Sequence, residues 1–206
     1  MEVYTTENDQ VDAVRRFFSE NGKALAVGVV LGIGALVGWR YWQSHQVTAL
    51  TEASSSFQKA SEALAANNAE GVAAAEKFAQ NNSNNYGVLA GLELAHHFVA
   101  QGQFDKAAQQ LSLAQGNTKD ENLLSLIHLR LARVQLQLKK PEDALKTLDA
   151  VNGDGWTAMA QDIRGDALLS KGDVAGAHAA YTKGIESNAS QALQSLLRMK
   201  LNNLSS

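Results

Sequence analysis

The chain of 206 residues has no cysteine and a single proline, Pro141. Without cysteine there is no disulfide and no thiolate metal site, a composition compatible with an oxidising compartment. One proline beside abundant Ala, Leu, Gln and Lys favours helix, and no β-branched alternation reads as a strand. Basic runs are missing as well. At a net charge of −3 with no cluster of Lys and Arg, a nucleic-acid surface is excluded.

Chemistry-bearing patterns are equally scarce. Gly153-Asp154-Gly155 lacks the Lys and Ser/Thr of a phosphate loop, and no serine lies in a G-x-S-x-G context. The histidines are His45, His96, His97, His128 and His178. None forms the i, i+4 pair that chelates a metal from one helix face. Asp162 and Asp166 do stand at i, i+4, where a cation site competes with the commoner reading of a solvated or partner-facing surface. The expectation is a binding protein rather than an enzyme, with no cofactor and no metal.

What the sequence does have is one long apolar run. Ala24 to Trp39 carry no charge; Lys23 precedes them, and Arg40, Tyr41 and Trp42 follow. Ala24–Trp42 as a helix spans roughly 28 Å, close to the hydrocarbon core of a bilayer when Arg40 snorkels outward. Trp39, Tyr41 and Trp42 suit an interfacial belt. A cleaved signal peptide fits less well, because the stretch before the run is long and acidic and WRYWQSHQ offers no small-residue cleavage site. A buried soluble helix normally keeps a polar face, and this run has none. Arg15, Arg16 and Lys23 precede the span, whereas beyond Arg40 nothing basic occurs until Lys59. That bias predicts a cytoplasmic N-terminus and, in a Gram-negative inner membrane, a periplasmic C-terminal part. The expected layout is a cytoplasmic tail over 1–22, a single signal-anchor span over 23–42 and a periplasmic domain over 43–206.

Within the span, Gly28/Gly32 and Gly34/Gly38 form two G-x-x-x-G pairs on different faces, each able to admit another helix closely. In the tail, Val11, Val14, Phe17 and Phe18 fall on one side of a helix starting near Asp9. It reads as an interfacial lead-in to the anchor, or as a cytoplasmic contact site.

From about Val47 onward the pattern is helical. It breaks at Asn67-Asn68, Asn81–Asn85, Gly102, Gly116-Asn117, Lys140-Pro141, Gly153–Gly155, Gly172 and Ser187-Asn188. Twelve residues separate Ala95 from Ala107, Ala132 from Ala144 and Gly165 from Ala177, small residues that let paired helices pack closely. The second member of each pair recurs at intervals near the 34 residues of a tetratricopeptide repeat. A weaker copy precedes them, with helices over Ser54–Ala66 and Glu70–Gln80 and Ala74 in the matching slot. Gln191–Leu204 is amphipathic and fits a terminal capping helix. The fold class is therefore all-α: one transmembrane helix followed by a tetratricopeptide-like α-solenoid of three or four hairpins.

Such a stack presents a concave face built from its first helices. By analogy with grooves of this type, the inward positions are Leu92, His96 and Val99, then Leu129, Arg133 and Leu136, then Asp162, Asp166 and Leu169. This mixture of apolar and charged residues suits a peptide or a partner segment, although neighbouring repeats or the capping helix can hide some of the leucines.

ENDQV at 7–11, AVRRFFSENGKALAVGVVLGIGAL at 13–36 and GWRYWQSHQV at 38–47 resemble the ancillary SecYEG translocon subunit family, the YfgM type. LELA, LRLARVQLQLK and RGDALLSKGD further on are similar too, and residues 48–75 depart most. The resemblance implies a single-pass inner-membrane protein whose periplasmic repeats associate with the SecYEG channel and with a membrane-anchored, prolyl-isomerase-like chaperone of the PpiD type. The implied role is to help pass secreted proteins from the channel to periplasmic chaperones. A link to envelope stress signalling is implied as well. The alternative role is thus a regulator that holds a cytoplasmic stress-response protein through the tail around Val11–Phe18.

Overall fold

Between Gly38 and Gly71 the sequence has neither glycine nor proline, so no residue there interrupts a helix once it has started. The computed structural model describes residues 7–187 and 189–204. It carries one helix, α1, from Glu7 to Ala65. The chain divides into two compact units, Met1–Glu52 and Ala53–Ser206, and α1 contributes residues to both.

In the first unit, every side chain from Ala24 to Trp42 is exposed. Among the described residues, α1 is the one helix long and apolar enough to cross a membrane. Trp39 and Trp42 lie with ring centroids 5.5 Å apart, which gathers the indoles at one end of the apolar run. A Cβ added at Gly28, Gly32, Gly34 or Gly38 would meet nothing within 4 Å, so both glycine pairs present bare backbone. Val11, Val14, Phe17 and Phe18 are exposed too.

The second unit begins with the last turns of α1. It continues through α2 (Ala69–Asn81), α3 (Asn85–Ala100), α4 (Phe104–Gly116), α5 (Glu121–Gln137), α6 (Pro141–Leu148), α7 (Thr157–Ser170), α8 (Val174–Glu186) and α9 (Gln191–Asn203). A 3-10 turn, Asp154–Trp156, leads into α7. Among the described residues there is no strand. The boundaries fall at the expected Asn, Gly and Pro breaks; Asn188 of the last break lies outside the described residues, as do residues 1–6 of the tail and the final two. Several helix starts are capped by side chains that satisfy otherwise orphaned amides. Asn68 accepts from the Gly71 amide, Asn84 from Tyr86 and Gly87, Asp120 from Asn122 and Leu123, and Asp173 from Gly176. Pro141 opens α6, where its missing N–H costs nothing.

One turn recurs four times. Asn67, Gly102, Lys139 and Gly172 adopt φ of +52°, +70°, +59° and +81°, and each stands two residues before the next helix. In the last three, the following amide reaches back: Gln103 to the Phe98 carbonyl, Lys140 to Gln135 and Asp173 to Leu168. This is the left-handed helix stop that closes a helix and turns the chain. Its recurrence at intervals of 35, 37 and 33 residues defines four hairpins: the end of α1 with α2, α3 with α4, α5 with α6, and α7 with α8. Each packs on the next through α2–α3, α4–α5 and α6–α7, and α9 closes the row against α8.

The three small-residue pairs are buried as expected, with Ala107, Ala144 and Ala177 fully so. Gly165 is needed outright, because a Cβ there would collide with the Tyr181 ring. One assignment is corrected. Ala74 is exposed, and the fourth residue of α2, matching Ala107, Ala144 and Ala177, is Val72. The first hairpin reaches close packing at Gly71 instead, where a Cβ would run into the Ala63 carbonyl.

The core is strung along the stack. Leu64, Ala79, Leu94, Phe98, Leu111 and Ile127 form a first cluster. Leu129, Ala144, Leu148 and Ile163 form a second, and Tyr181 with Leu197 a third. Helix α5 feeds the first two, so neighbouring hairpins share a core rather than owning one. Each buried Leu, Ile or Phe contributes about 1.5–3 kcal/mol relative to exposure.

Candidate functional site

The left-handed turns put the three later repeats in a common register. Leu92, Leu129 and Asp162 each lie ten residues before their turn residue; His96, Arg133 and Asp166 lie six before; Val99, Leu136 and Leu169 lie three before. The expected inward positions are thus three rows running across the first helices of the hairpins.

The first row is buried: Leu92 and Leu129 are each 4% exposed and Asp162 is 3%. Neighbouring repeats cover the two leucines. Asp162 occupies the same place in the last hairpin, where the next element is α9. It is neither solvated nor free to face a partner: Lys200 of α9 donates to its Oδ1 at 2.6 Å. The same ammonium reaches both oxygens of Asp166 at 2.7 Å, and the Tyr181 hydroxyl donates to Asp166 Oδ1 at 2.7 Å. Arg133 approaches Asp162 Oδ2 at a loose 3.5 Å. The cation between the two carboxylates is therefore the chain's own lysine.

Electrostatics follow from that geometry. Burial acts to lower the Lys200 pKa, but the hydrogen bonds to Asp162 and Asp166 outweigh it and leave the ammonium raised. Burial, reinforced by the bond to Asp166, pushes the Tyr181 hydroxyl well above its ordinary value, so it stays a donor. Among the described residues no three His, Cys, Asp or Glu side chains gather as metal ligands.

The other two rows border open hollows. One, of about 600 Å³, is lined by His96 and Val99 of α3, Phe104 and Leu111 of α4, Arg130, Arg133 and Leu136 of α5 and Asp166 of α7. A neighbouring hollow of about 920 Å³ is lined by Phe57, Leu64, Leu89, Leu92, Glu93, His96, His97 and Arg130, among others. His96 and Arg130 border both. Leu169 is exposed but lines neither. The site is a mostly apolar trough with a few charged side chains on its rim, suited to holding a chain segment.

The model of the tetratricopeptide repeat-like domain family matches residues 15–206. Over 205 residues the chain is 56% identical to the ancillary SecYEG translocon subunit of Escherichia coli K12, covering 100% of both chains. The chain belongs to the ancillary SecYEG translocon subunit family. The subunit of the same name from Haemophilus influenzae is 34% identical over 203 residues, covering 98% of this chain and 99% of that one. The one from Aggregatibacter actinomycetemcomitans is 35% identical over 206 residues with the same coverage. No solved structure matches.

In this member of the family, the row spacing names His96, Val99, Arg133, Leu136 and Asp166, which line the hollow of about 600 Å³, but not Arg130 and Phe104, which line it too, nor Lys200, which pairs with Asp162 and Asp166. Arg130 was the most accessible of these to sequence reasoning, since LRLAR places two arginines at i, i+3 on one helix. Lys200 is separated from Asp162 by 38 residues, and no repeat pattern links them.

Proposed function

We propose that this chain is an ancillary subunit of the SecYEG translocon, held in the inner membrane by residues 23–42, with its tail cytoplasmic and its repeats periplasmic. The repeats dock a membrane-anchored chaperone of the PpiD type, so that secreted proteins leaving the channel meet periplasmic chaperones. The work is binding, not catalysis. The observation that carries this reading is identity along the whole chain, anchor and repeats together, with subunits bearing the translocon name. The trough bordered by His96, Val99, Arg133 and Leu136 supplies a docking surface. The bare glycine faces at Gly28/Gly32 and Gly34/Gly38 supply places for channel helices to approach.

The test is a mild-detergent affinity isolation from native membranes, read by mass spectrometry. The baits are the full chain, residues 45–206, and the full chain with Gly28, Gly32, Gly34 and Gly38 replaced by leucine. Channel subunits and the chaperone are expected with the full chain, and channel subunits are expected to be depleted with the glycine variant. If neither co-purifies with the full chain, the translocon role falls.

A second reading rests on the exposed tail face of Val11, Val14, Phe17 and Phe18. There the chain regulates envelope stress signalling by holding a cytoplasmic protein. Deleting residues 2–20 abolishes that role and spares the first.

A further inference from the structure

The trough holds a cation that the fold does not use. Arg130 is exposed on α5 and borders both hollows. No hydrogen bond or ion pair engages it among the described residues, whereas Arg133 and Asp166, the other Arg and Asp side chains of the hollow of about 600 Å³, are committed. Asp166 gives both oxygens to Lys200 and one also to Tyr181, and Arg133 leans on Asp162. Arg133 and Lys200 are paired with Asp162 and Asp166, and Arg130 is paired with neither. The unengaged cation of the trough is Arg130. The same hollow carries the apolar side chains of Val99, Phe104 and Leu136. Glu93 shares the hollow of about 920 Å³ with Arg130, and no ion pair joins the two.

We propose that the hollow of about 600 Å³ docks an apolar protein segment that carries a carboxylate, received by Arg130. The inference rests on the trough being the partner-docking surface and adds the chemistry of the partner. A guanidinium presents its N–H groups in a planar fork that matches a carboxylate in two parallel bonds. A segment without an acid would cover Arg130 and strip its water with nothing in return. The unpaired arginine therefore selects against neutral and basic segments as well as for acidic ones.

The experiment uses the full chain in nanodiscs of zwitterionic lipid, with empty nanodiscs subtracted. The probes are a short fluorescent peptide of leucines and glutamates, its counterpart with every glutamate replaced by glutamine, and its counterpart with lysine. The glutamate peptide is expected to bind about fivefold more tightly than the glutamine one, the upper end for a solvent-accessible ion pair, with the difference shrinking as salt rises. Arg130→Gln erases the difference, Arg130→Glu turns the preference towards the lysine peptide, and Arg198→Gln, on exposed surface of α9, leaves it intact. Equal binding of glutamate and glutamine peptides overturns the carboxylate inference and leaves the docking trough standing. Absence of all peptide binding overturns it too, and the affinity isolation then judges the docking reading separately. Binding of laurate without any peptide would assign the hollow to an acyl chain and likewise overturn it.

Discussion

His128 is only 6% exposed on α5, and neither ring nitrogen has a hydrogen-bond partner. Burial lowers its pKa from 6.5, and the backbone of Ala150, short of hydrogen-bond geometry, pulls the other way more weakly. The folded ring is thus neutral where an unfolded one would begin to charge. As pH falls through about 6.5 the unfolded chain takes up more protons than the folded chain, so stability drops; the loss levels off below the folded pKa. Thermal unfolding of the full chain is expected to shift down between about pH 7.5 and about pH 5 by more than that of the His128→Leu variant. Parallel profiles would show that the imidazole is not what titrates. The sequence could not reveal this, because a lone histidine among leucines reads the same whether it is solvated or enclosed.

At the scale of elements, the helices and their order were legible because the breaks are chemical: glycine at 102 and 172, Pro141 after a lysine, and asparagine at both ends of α2. The Asn67 turn was harder to register, since asparagine takes the left-handed conformation without announcing it as glycine does, and the slot assigned to Ala74 slipped with it. Less legible still was how α9 is held. Amphipathicity predicted that it would cap the stack, but only the fold shows Asp162 standing in a row of leucines and taking its cation from α9. Removing that cation leaves a carboxylate whose side chain is 5% exposed without its closest partner. Lys200→Met is expected to destabilise the second unit by about 3 kcal/mol, the low end for a broken buried pair, because Lys200 is itself 24% exposed. Adding Asp162→Asn and Asp166→Asn to Lys200→Met should recover part of that loss, since no buried charge is then unpaired. Chemical denaturation of the full chain gives the magnitudes, and amide exchange should report the loosening first in α9. A triple variant no more stable than the single would mean that Lys200 acts through packing over the Tyr181 ring, 5.6 Å away, and not through charge.

For the molecule as a whole, the decisive question is which side of the bilayer receives each unit, and the composition itself supplies the means of asking. The chain has no cysteine, so a thiol introduced anywhere is the only one a maleimide can find. Ser19 lies in the basic tail segment before the apolar run, and Ser112 is exposed on α4. Positive charge is retained on the cytoplasmic side when counted close to the span, and Arg15, Arg16 and Lys23 outnumber Arg40. In spheroplasts treated with a membrane-impermeant maleimide, Ser112→Cys is therefore expected to label and Ser19→Cys to stay dark until detergent opens the membrane. Labelling of Ser19→Cys with Ser112→Cys protected would invert the topology. The trough would then face the cytoplasm, out of reach of any periplasmic chaperone. Labelling of both in intact spheroplasts would mean that Ala24–Trp42 does not span. Protection of both would place the two units on the cytoplasmic side. Each outcome assigns the trough of α3, α5 and α7 to one compartment, and with it the set of segments whose acids Arg130 can meet.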